Sequence, residues 1–254
     1  MHGVEAQQNF PTVSSPTVMQ DYPGVRDNER DVLLEYVTLR PGMQVLDVQA
    51  AGGYLSDEVH RRLGGDVINL CVEPNPELRA RLDPAYVVID NPVERFDDIA
   101  DASVDVALGL IGLHHSHSHQ ATLGESVRVL KPGGELVFCD VPAGSRLAAW
   151  LNEFVDAHCP AGHAGNFPEI GSLRAHCQAL GCEGVTEVLR DVPWIFPNRQ
   201  AIVAYFQGLF GLTAEAPLID EALEDYFTLR ERGGKVWVDW QLLYCHAIRP
   251  RGRL

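Results

Sequence analysis

The chain has no Cys-x-x-Cys pair, no apolar run near the roughly 18 residues of a membrane-spanning helix, and no excess of positive charge. Each absence removes a class of protein. The six cysteines (Cys71, Cys139, Cys159, Cys177, Cys182 and Cys245) show no paired spacing, which points to reduced thiols in a cytoplasmic protein. Cys71, Cys139 and Cys245 fall in expected strands, where a thiol acts as a small buried hydrophobe. With 20 Lys and Arg against 35 Asp and Glu, the net charge is −15. That excludes a general binder of nucleic acid or of anionic membranes. The N-terminus lacks a basic stretch followed by an apolar core, so no secretory leader is expected. Repeats and low-complexity tracts are also missing. A small molecule remains as the expected partner, and a homodimer is compatible with these properties.

What is present is an α/β pattern. The 254 residues are 46% hydrophobic, enough for one large domain with an inserted cap. Residues 44–48 form a short apolar run that reads as a buried parallel strand. A turn of small residues follows, then Leu55, Val59 and Leu63 at helical spacing, stopped by Gly64-Gly65. Residues 67–72 form a second apolar run that ends in Glu73. Strand, small-residue turn, helix, strand and acid make one βαβ unit of an open sheet. A ligand at the strand tips would meet the backbone of the turn. Glu73 lies 20 residues past Gly53 and could accept hydrogen bonds from both hydroxyls of a ribose. The unit implies a cofactor containing a nucleoside.

Asp47-x-Gln49-x-Ala51-x-Gly53 resembles the acid-x-Gly-x-Gly-x-Gly motif of class I S-adenosylmethionine methyltransferases. Glu73, Asp105-Val106-Ala107-Leu108, Leu113-His114-His115 and Arg128-Val129-Leu130-Lys131-Pro132-Gly133-Gly134-Glu135-Leu136 follow in family order. Together they are similar to the small-molecule enzymes related to ubiquinone-biosynthesis C-methyltransferases, over roughly residues 26–141. The resemblance implies a Rossmann-like, seven-stranded, mostly parallel sheet with an antiparallel last strand. It also implies S-adenosylmethionine as cofactor and S-adenosylhomocysteine as product. Asp47, Gln49, Ala51, Gly53, Glu73, Pro74 and Leu110 would hold the cofactor, and Asp90 with its neighbour Asn91 would meet the adenine. Asp90 and Asn91 equally suit a turn before proline. Gln49 and Ala51 depart from the motif. Where the family lays cofactor on bare glycine backbone, Gln49 places a side chain. If that position needs φ > 0, the residue costs about 1 kcal/mol or more.

The rest of the chain divides around this unit. Residues 1–25 read as a flexible arm or lid, with Tyr22 as its best contact to substrate. Residues 26–191 and 235–254 read as the cofactor-binding domain, and 192–234 as a helical cap inserted before the last strand. Residues 131–134 read as a turn before the fifth strand, 94–100 as a loop with a short helix, and 237–247 as the final strand. A basic tail, Arg249, Arg251 and Arg253, reads as a solvated terminus. The tip of the fourth strand carries four histidines, His114, His115, His117 and His119. Tight spacing alone does not make a metal site, and none is expected here. His115, His114 and Asp140 are the candidate catalytic groups, since histidine can take a proton near neutral pH. His163, Trp194 and Phe196, with Tyr22, are the candidates for substrate contact.

The expected function is methyl transfer to a small, partly apolar or aromatic molecule, as in secondary metabolism. Two rivals come with the altered turn. One is a cyclase, isomerase or decarboxylase on the same fold that uses the cofactor differently or not at all. The other is a catalytically silent binding subunit.

Overall fold

The computed structural model describes residues 18–252. The first 17 residues of the expected arm, and Arg253 of the expected tail, lie outside the described residues. Helices α1 (Val18–Asp21) and α2 (Asp27–Glu35) lead into β1 (Met43–Val48), α3 (Tyr54–Arg62) and β2 (Val67–Val72). Next come α4 (Pro76–Arg79), β3 (Val87–Ile89), β4 (Val104–Leu110), a 3-10 turn at Leu113–His115, α5 (His119–Val129) and β5 (Leu130–Asp140). Helices α6 (Arg146–Ala149) and α7 (Asp156–His158) are joined through a π-helical stretch at Trp150–Val155. The chain continues through α8 (Ser172–Ala179), β6 (Glu183–Asp191), β7 (Trp194–Phe196), α9 (Arg199–Phe210) and α10 (Ala216–Tyr226). It ends with β8 (Leu229–Arg232), β9 (Lys235–Val238) and β10 (Gln241–Ile248).

Seven strands form the main sheet in the order β3-β2-β1-β4-β5-β10-β6. β1 to β5 run parallel, and β10 is antiparallel to both of its neighbours. The expected Rossmann-like sheet with an antiparallel last strand is therefore present. Side-chain alternation feeds two cores. Along β5, Val137 and Cys139 join the core under α2, α3 and the inserted segment. Leu136 and Phe138 join the core with α5 and α8 residues Leu123, Leu173 and Cys177. The three cysteines expected in strands, Cys71, Cys139 and Cys245, are all buried there.

Three local expectations need correction. Residues 131–134 are not a turn ahead of β5. They lie within it, as an irregularity in the pairing between Val104 and Val106 of β4. Residues 94–100 carry turns and no helix among the described residues. The expected final strand over 237–247 is two strands, β9 and β10, broken at Asp239 and Trp240, which bond to Thr228 and Val192 instead. Ahead of the break, Gly233 and Gly234 (φ 60° and 71°) make a two-residue hairpin loop between β8 and β9. Paired positive φ is what such a hairpin requires, and glycine supplies it without strain. β9 then pairs with β7, so the segment between β6 and β10 holds a three-stranded sheet β7-β9-β8 beside its two helices.

The contact between β4 and β5 is tight at one point. A Cβ added to Gly109 would lie 2.4 Å from Cδ1 of Phe138, its cross-strand partner. Phe138 is fully enclosed and has no room to retreat. Gly109→Ala should therefore cost about 1–3 kcal/mol of unfolding free energy. A lowered urea midpoint, partly restored by adding Phe138→Leu, is the expected result. A midpoint equal to the parent's would show that Phe138 yields to the added methyl group without cost.

Candidate functional site

The C-terminal edge of the parallel strands is built on strained backbone. Three non-glycine residues there have positive φ: Gln49 (59°), Ala51 (44°) and Ile111 (50°). For β-branched Ile111 this is a rare conformation. Such strain costs of order 1–3 kcal/mol per residue and collects where a ligand is held. The turn after β1 thus keeps the shape of a glycine turn, with Gly52 and Gly53 (84° and 100°) completing it, although two glycines are replaced.

Hydrogen bonds hold that shape. The amides of Gln49 and Ala50 donate to the Val72 carbonyl at 2.8 and 3.2 Å, tying the turn to the end of β2. Glu73 accepts from the Ala51 amide at 2.9 Å through Oε2 and from the Asn75 amide at 2.8 Å through Oε1. Its burial raises the carboxyl pKa, opposed by these two amides and by Arg79. Arg79 binds the carbonyls of Glu73 and Pro74 (2.9 and 2.6 Å) and the exposed Asp90 carboxylate at 2.6 Å. Asp90 is thus committed to Arg79, whereas the buried Asn91 bonds to Asp98 at 3.0 Å. Beneath the turn, Asp47 accepts from the Ser56 hydroxyl at 2.7 Å. Leu110 is buried at the end of β4.

The second half of the site lies past β4 and β5. Asp140, the last residue of β5, is fully buried. Its Oδ2 accepts from the His114 amide at 2.8 Å. Its Oδ1 accepts from His114 Nδ1 at 2.8 Å and from the Val141 amide at 2.6 Å. A carboxylate can only accept, so the imidazole donates from Nδ1 and its Nε2 is left as an acceptor. The π-helical stretch presents Asn152 to the loop after α7. There Asn152 Oδ1 meets His163 Nδ1 at 3.0 Å and accepts from the Gly165 amide at 2.8 Å. The Asn166 amide donates to the His114 carbonyl at 2.7 Å, which locks the same loop to the 3-10 turn. Rings of His114, His115 and His163 come together, with centroids 4.0, 5.4 and 5.6 Å apart pairwise. Burial, then the neighbouring His114, pulls His163 down to about 4. The same two causes lower His115 well below the usual histidine range.

These histidines line a partly open cavity of about 120 Å³ together with Arg26, Ile111, Val141 and Leu151, and with Trp194, Leu209, Phe210 and Trp240. It is smaller than the roughly 300–1,000 Å³ of most ligand pockets, which favours a small occupant. Trp194 stacks on Trp240 at 3.7 Å and donates from Nε1 to buried Glu29 at 2.9 Å. Glu29 is also ion-paired with Arg26. A larger hollow of about 800 Å³ opens among Met43, Lys131, Gly133 and Arg251. It lies at the opposite end of the strands, where Lys131 is ion-paired with Asp105 and no histidine or cysteine is among the lining residues.

The structure gathers His114, His115, His163 and Trp194 around one cavity, with Asp140 behind His114. Phe196 is instead packed among Tyr205 and Phe206 in the inserted segment, and Tyr22 leans edge-on against Tyr205. Arg26, Asn152 and Trp240 were not singled out from the sequence. Arg26 and Asn152 carry no local motif, and Trp240 was absorbed into an expected long strand.

An open sheet of this order, with a positive-φ turn after β1, an acid at the tip of β2 and a cavity past β4 and β5, is the arrangement of a class I methyltransferase. A methyltransferase-domain profile matches residues 46–138. A ubiquinone biosynthesis O-methyltransferase of Xanthomonas campestris is 32% identical over 178 residues, covering 64% of this chain and 74% of the relative. A malonyl-[acyl-carrier protein] O-methyltransferase of Serratia marcescens is 29% identical, covering 71% and 70%. Among solved structures, the YcgJ protein of a Bacillus superposes with TM-score 0.64 at 16% identity, over 89% of this chain and all of that one. The [4+2]-cyclase SpnF superposes with TM-score 0.59 at 18% identity, over 89% and 81%. The chain belongs to the class I S-adenosylmethionine-dependent methyltransferase family. The named sequence relatives above are O-methyltransferases, where the motifs alone resembled C-methyltransferases.

The residues can be tested against the family's cofactor. Glu73 uses one lone pair on each oxygen for the turn, and about two positions remain for ribose hydroxyls. That end fits. At the other end, Gln49 Oε1 lies 2.4 Å from where a Gly112 Cβ would be, so its amide covers the bare face of Gly112 between β1 and β4. The fit there requires the flexible Gln49 side chain to turn aside.

Asp47 gives a pH prediction. Burial, opposed by the Ser56 hydroxyl and reinforced by the Glu73 charge, raises its carboxyl to about 7. The folded chain then keeps a proton that the unfolded chain releases near about 4. Its contribution to stability is fully present below about 4 and is lost as pH rises through about 7. Asp47→Asn should therefore stabilise the protein most above pH 7, with the gain shrinking toward pH 4 in denaturant titrations. A gain that is the same at every pH would show that Asp47 ionises normally.

Proposed function

We propose that this protein transfers a methyl group from S-adenosylmethionine to a small, partly apolar or aromatic acceptor held in the histidine-lined cavity. The observation that carries this reading is the Asp140–His114 pair. It places an imidazole of fixed tautomer in the wall of a partly open aromatic cavity, near the turn after β1. Glu73 would hold the ribose, and the amides of the turn after β1 would line the cofactor. When bound, the cofactor supplies an electrophilic methyl on a sulfonium. The protein's part is to orient the acceptor and exclude water. His114 Nε2 is the acceptor available to a hydroxyl of the substrate, and Asp140 would stabilise the imidazolium that forms. The stacked Trp194 and Trp240 suit a flat apolar body.

One observation favours a second reading. The Gln49 amide lies over Gly112, where the family leaves bare backbone for the cofactor. Chemistry on this fold without methyl transfer would be served by such a closed cleft.

Calorimetry with S-adenosylhomocysteine separates the two. The parent should bind, and Glu73→Ala should weaken binding about 10- to 100-fold, the loss of a charged hydrogen bond. Gln49→Gly should tighten binding, because it opens the face of Gly112 and relieves positive-φ strain. No binding to the parent, restored by Gln49→Gly, would replace methyl transfer with the second reading.

A further inference from the structure

We propose that His114, His115 and His163 form a site for one divalent transition-metal ion, with an open coordination position facing the aromatic cavity. One ring nitrogen of each histidine lies within 4.8 Å of those of the other two. A tetrahedral ion with metal–nitrogen bonds of 2.0–2.1 Å needs its nitrogens roughly 3.3 Å apart, so side-chain rotations of about an ångström close the site. The ligands come from two separate elements, the turn after β4 and the loop after α7, and the two are already bonded together through the Asn166 amide and the His114 carbonyl. That convergence is what the close sequence spacing of His114 and His115 lacked.

The outer contacts carry the argument further. Metal-bound histidines nearly always donate their second nitrogen to a carboxylate or a carbonyl, which fixes the tautomer and turns the first nitrogen to the ion. His114 and His163 have such a partner on Nδ1: Asp140 for His114 at 2.8 Å, and Asn152 Oδ1 for His163 at 3.0 Å. Both leave Nε2 as the available donor, so an ion bound there would occupy the His114 atom that otherwise accepts the substrate's proton and would itself take over activation of the acceptor oxygen. An all-imidazole set suits Zn²⁺, Co²⁺, Fe²⁺, Ni²⁺ or Cu²⁺ and does not suit Mg²⁺ or Ca²⁺, which require oxygen. Three protein ligands with a position left over is the composition of a catalytic zinc site, not a structural one. The cavity beyond is apolar apart from Arg26. A fourth ligand there would be an oxygen donor on an apolar body, such as a phenolate or a carboxylate. Ion binding does not depend on methyl transfer, so it can be tested with the metal alone.

The experiment is to strip the purified protein with a chelator and titrate it with Co²⁺, following visible absorption, and then to displace Co²⁺ with Zn²⁺. The expected result is one ion per chain with intense d–d bands of low coordination number and no thiolate charge-transfer band. His163→Ala should abolish the bands, and Asp140→Asn should weaken binding about 10- to 100-fold. His115→Gln provides a second ligand variant, and a thermal melt of each variant without metal checks that it folds. A featureless titration would overturn the proposal, as would saturable binding unchanged in folded His163→Ala or His115→Gln. A thiolate band would also overturn it, because it would assign the ion to the cysteines, where the Cys177 and Cys245 sulfurs lie 4.0 Å apart.

Discussion

A buried carboxylate organises the reactive end of this molecule. Asp140 has no access to water, and an unpaired ion there would be prohibitively unstable. Its stability depends on three N–H groups, two of them from His114. Meeting that demand requires the chain after β4 to fold back in a tight 3-10 turn at the tip of β5. The turn fixes His114 and carries His115 with it. Its carbonyl then receives the Asn166 amide, and the loop after α7 is drawn in with His163. Removing the carboxylate would therefore disturb a whole group of residues, because the imidazole, the turn and the loop are satisfied through one another.

Backbone strain tells a parallel story, with a useful control. Gln49, Ala51 and Ile111 all sit at positive φ along the C-terminal edge of the sheet, where ligands bind in open α/β folds. Ala102 has the same feature (φ 53°) in the turn before β4, at the other end of the strands. Strain alone therefore does not mark a site here. At the turn after β1 it is the coincidence of strain with a buried acid, bound to the amide of one strained residue, that gives the edge its meaning.

Much of this was legible in the sequence, for physical reasons that also explain the gaps. Residues 44–48 and 67–72 announce strands because buried parallel strands must be apolar throughout, and Gly64-Gly65 announces the helix end. The role of Lys131-Pro132-Gly133-Gly134 was misread because turn-forming residues can also build an irregularity inside a strand. The Gly233-Gly234 hairpin is hidden in the sequence because the strands beside it, Leu229–Arg232 and Lys235–Val238, are only four residues each and the first is mostly charged. For the site, the sequence marks residues one strand tip at a time. It flags His114, His115 and Asp140 because they close strands. It has no means of showing that Asn152, on a π-helical turn, and His163, in a glycine-rich loop, meet them. Arg26 escaped for the same reason: its partners Glu29 and Trp194 make sense only once β7 packs on α2.

The altered turn is best understood through the backbone it preserves. A glycine replaced by glutamine could have let the turn relax into an ordinary conformation. Instead Gln49 keeps a φ of 59°, and Ala51 one of 44°, so the surrounding structure imposes the family's shape against local preference. What restrains them is visible: the amides of Gln49 and Ala50 on the Val72 carbonyl, and that of Ala51 on Glu73. The positive-φ geometry of the turn thus survives the loss of the residues that usually make it easy. What changes is the side chain above Gly112, which alters access to the cleft and leaves its frame intact. Family membership rests on the frame, whereas the chemistry performed there depends on what Gln49 admits and on what the three histidines hold.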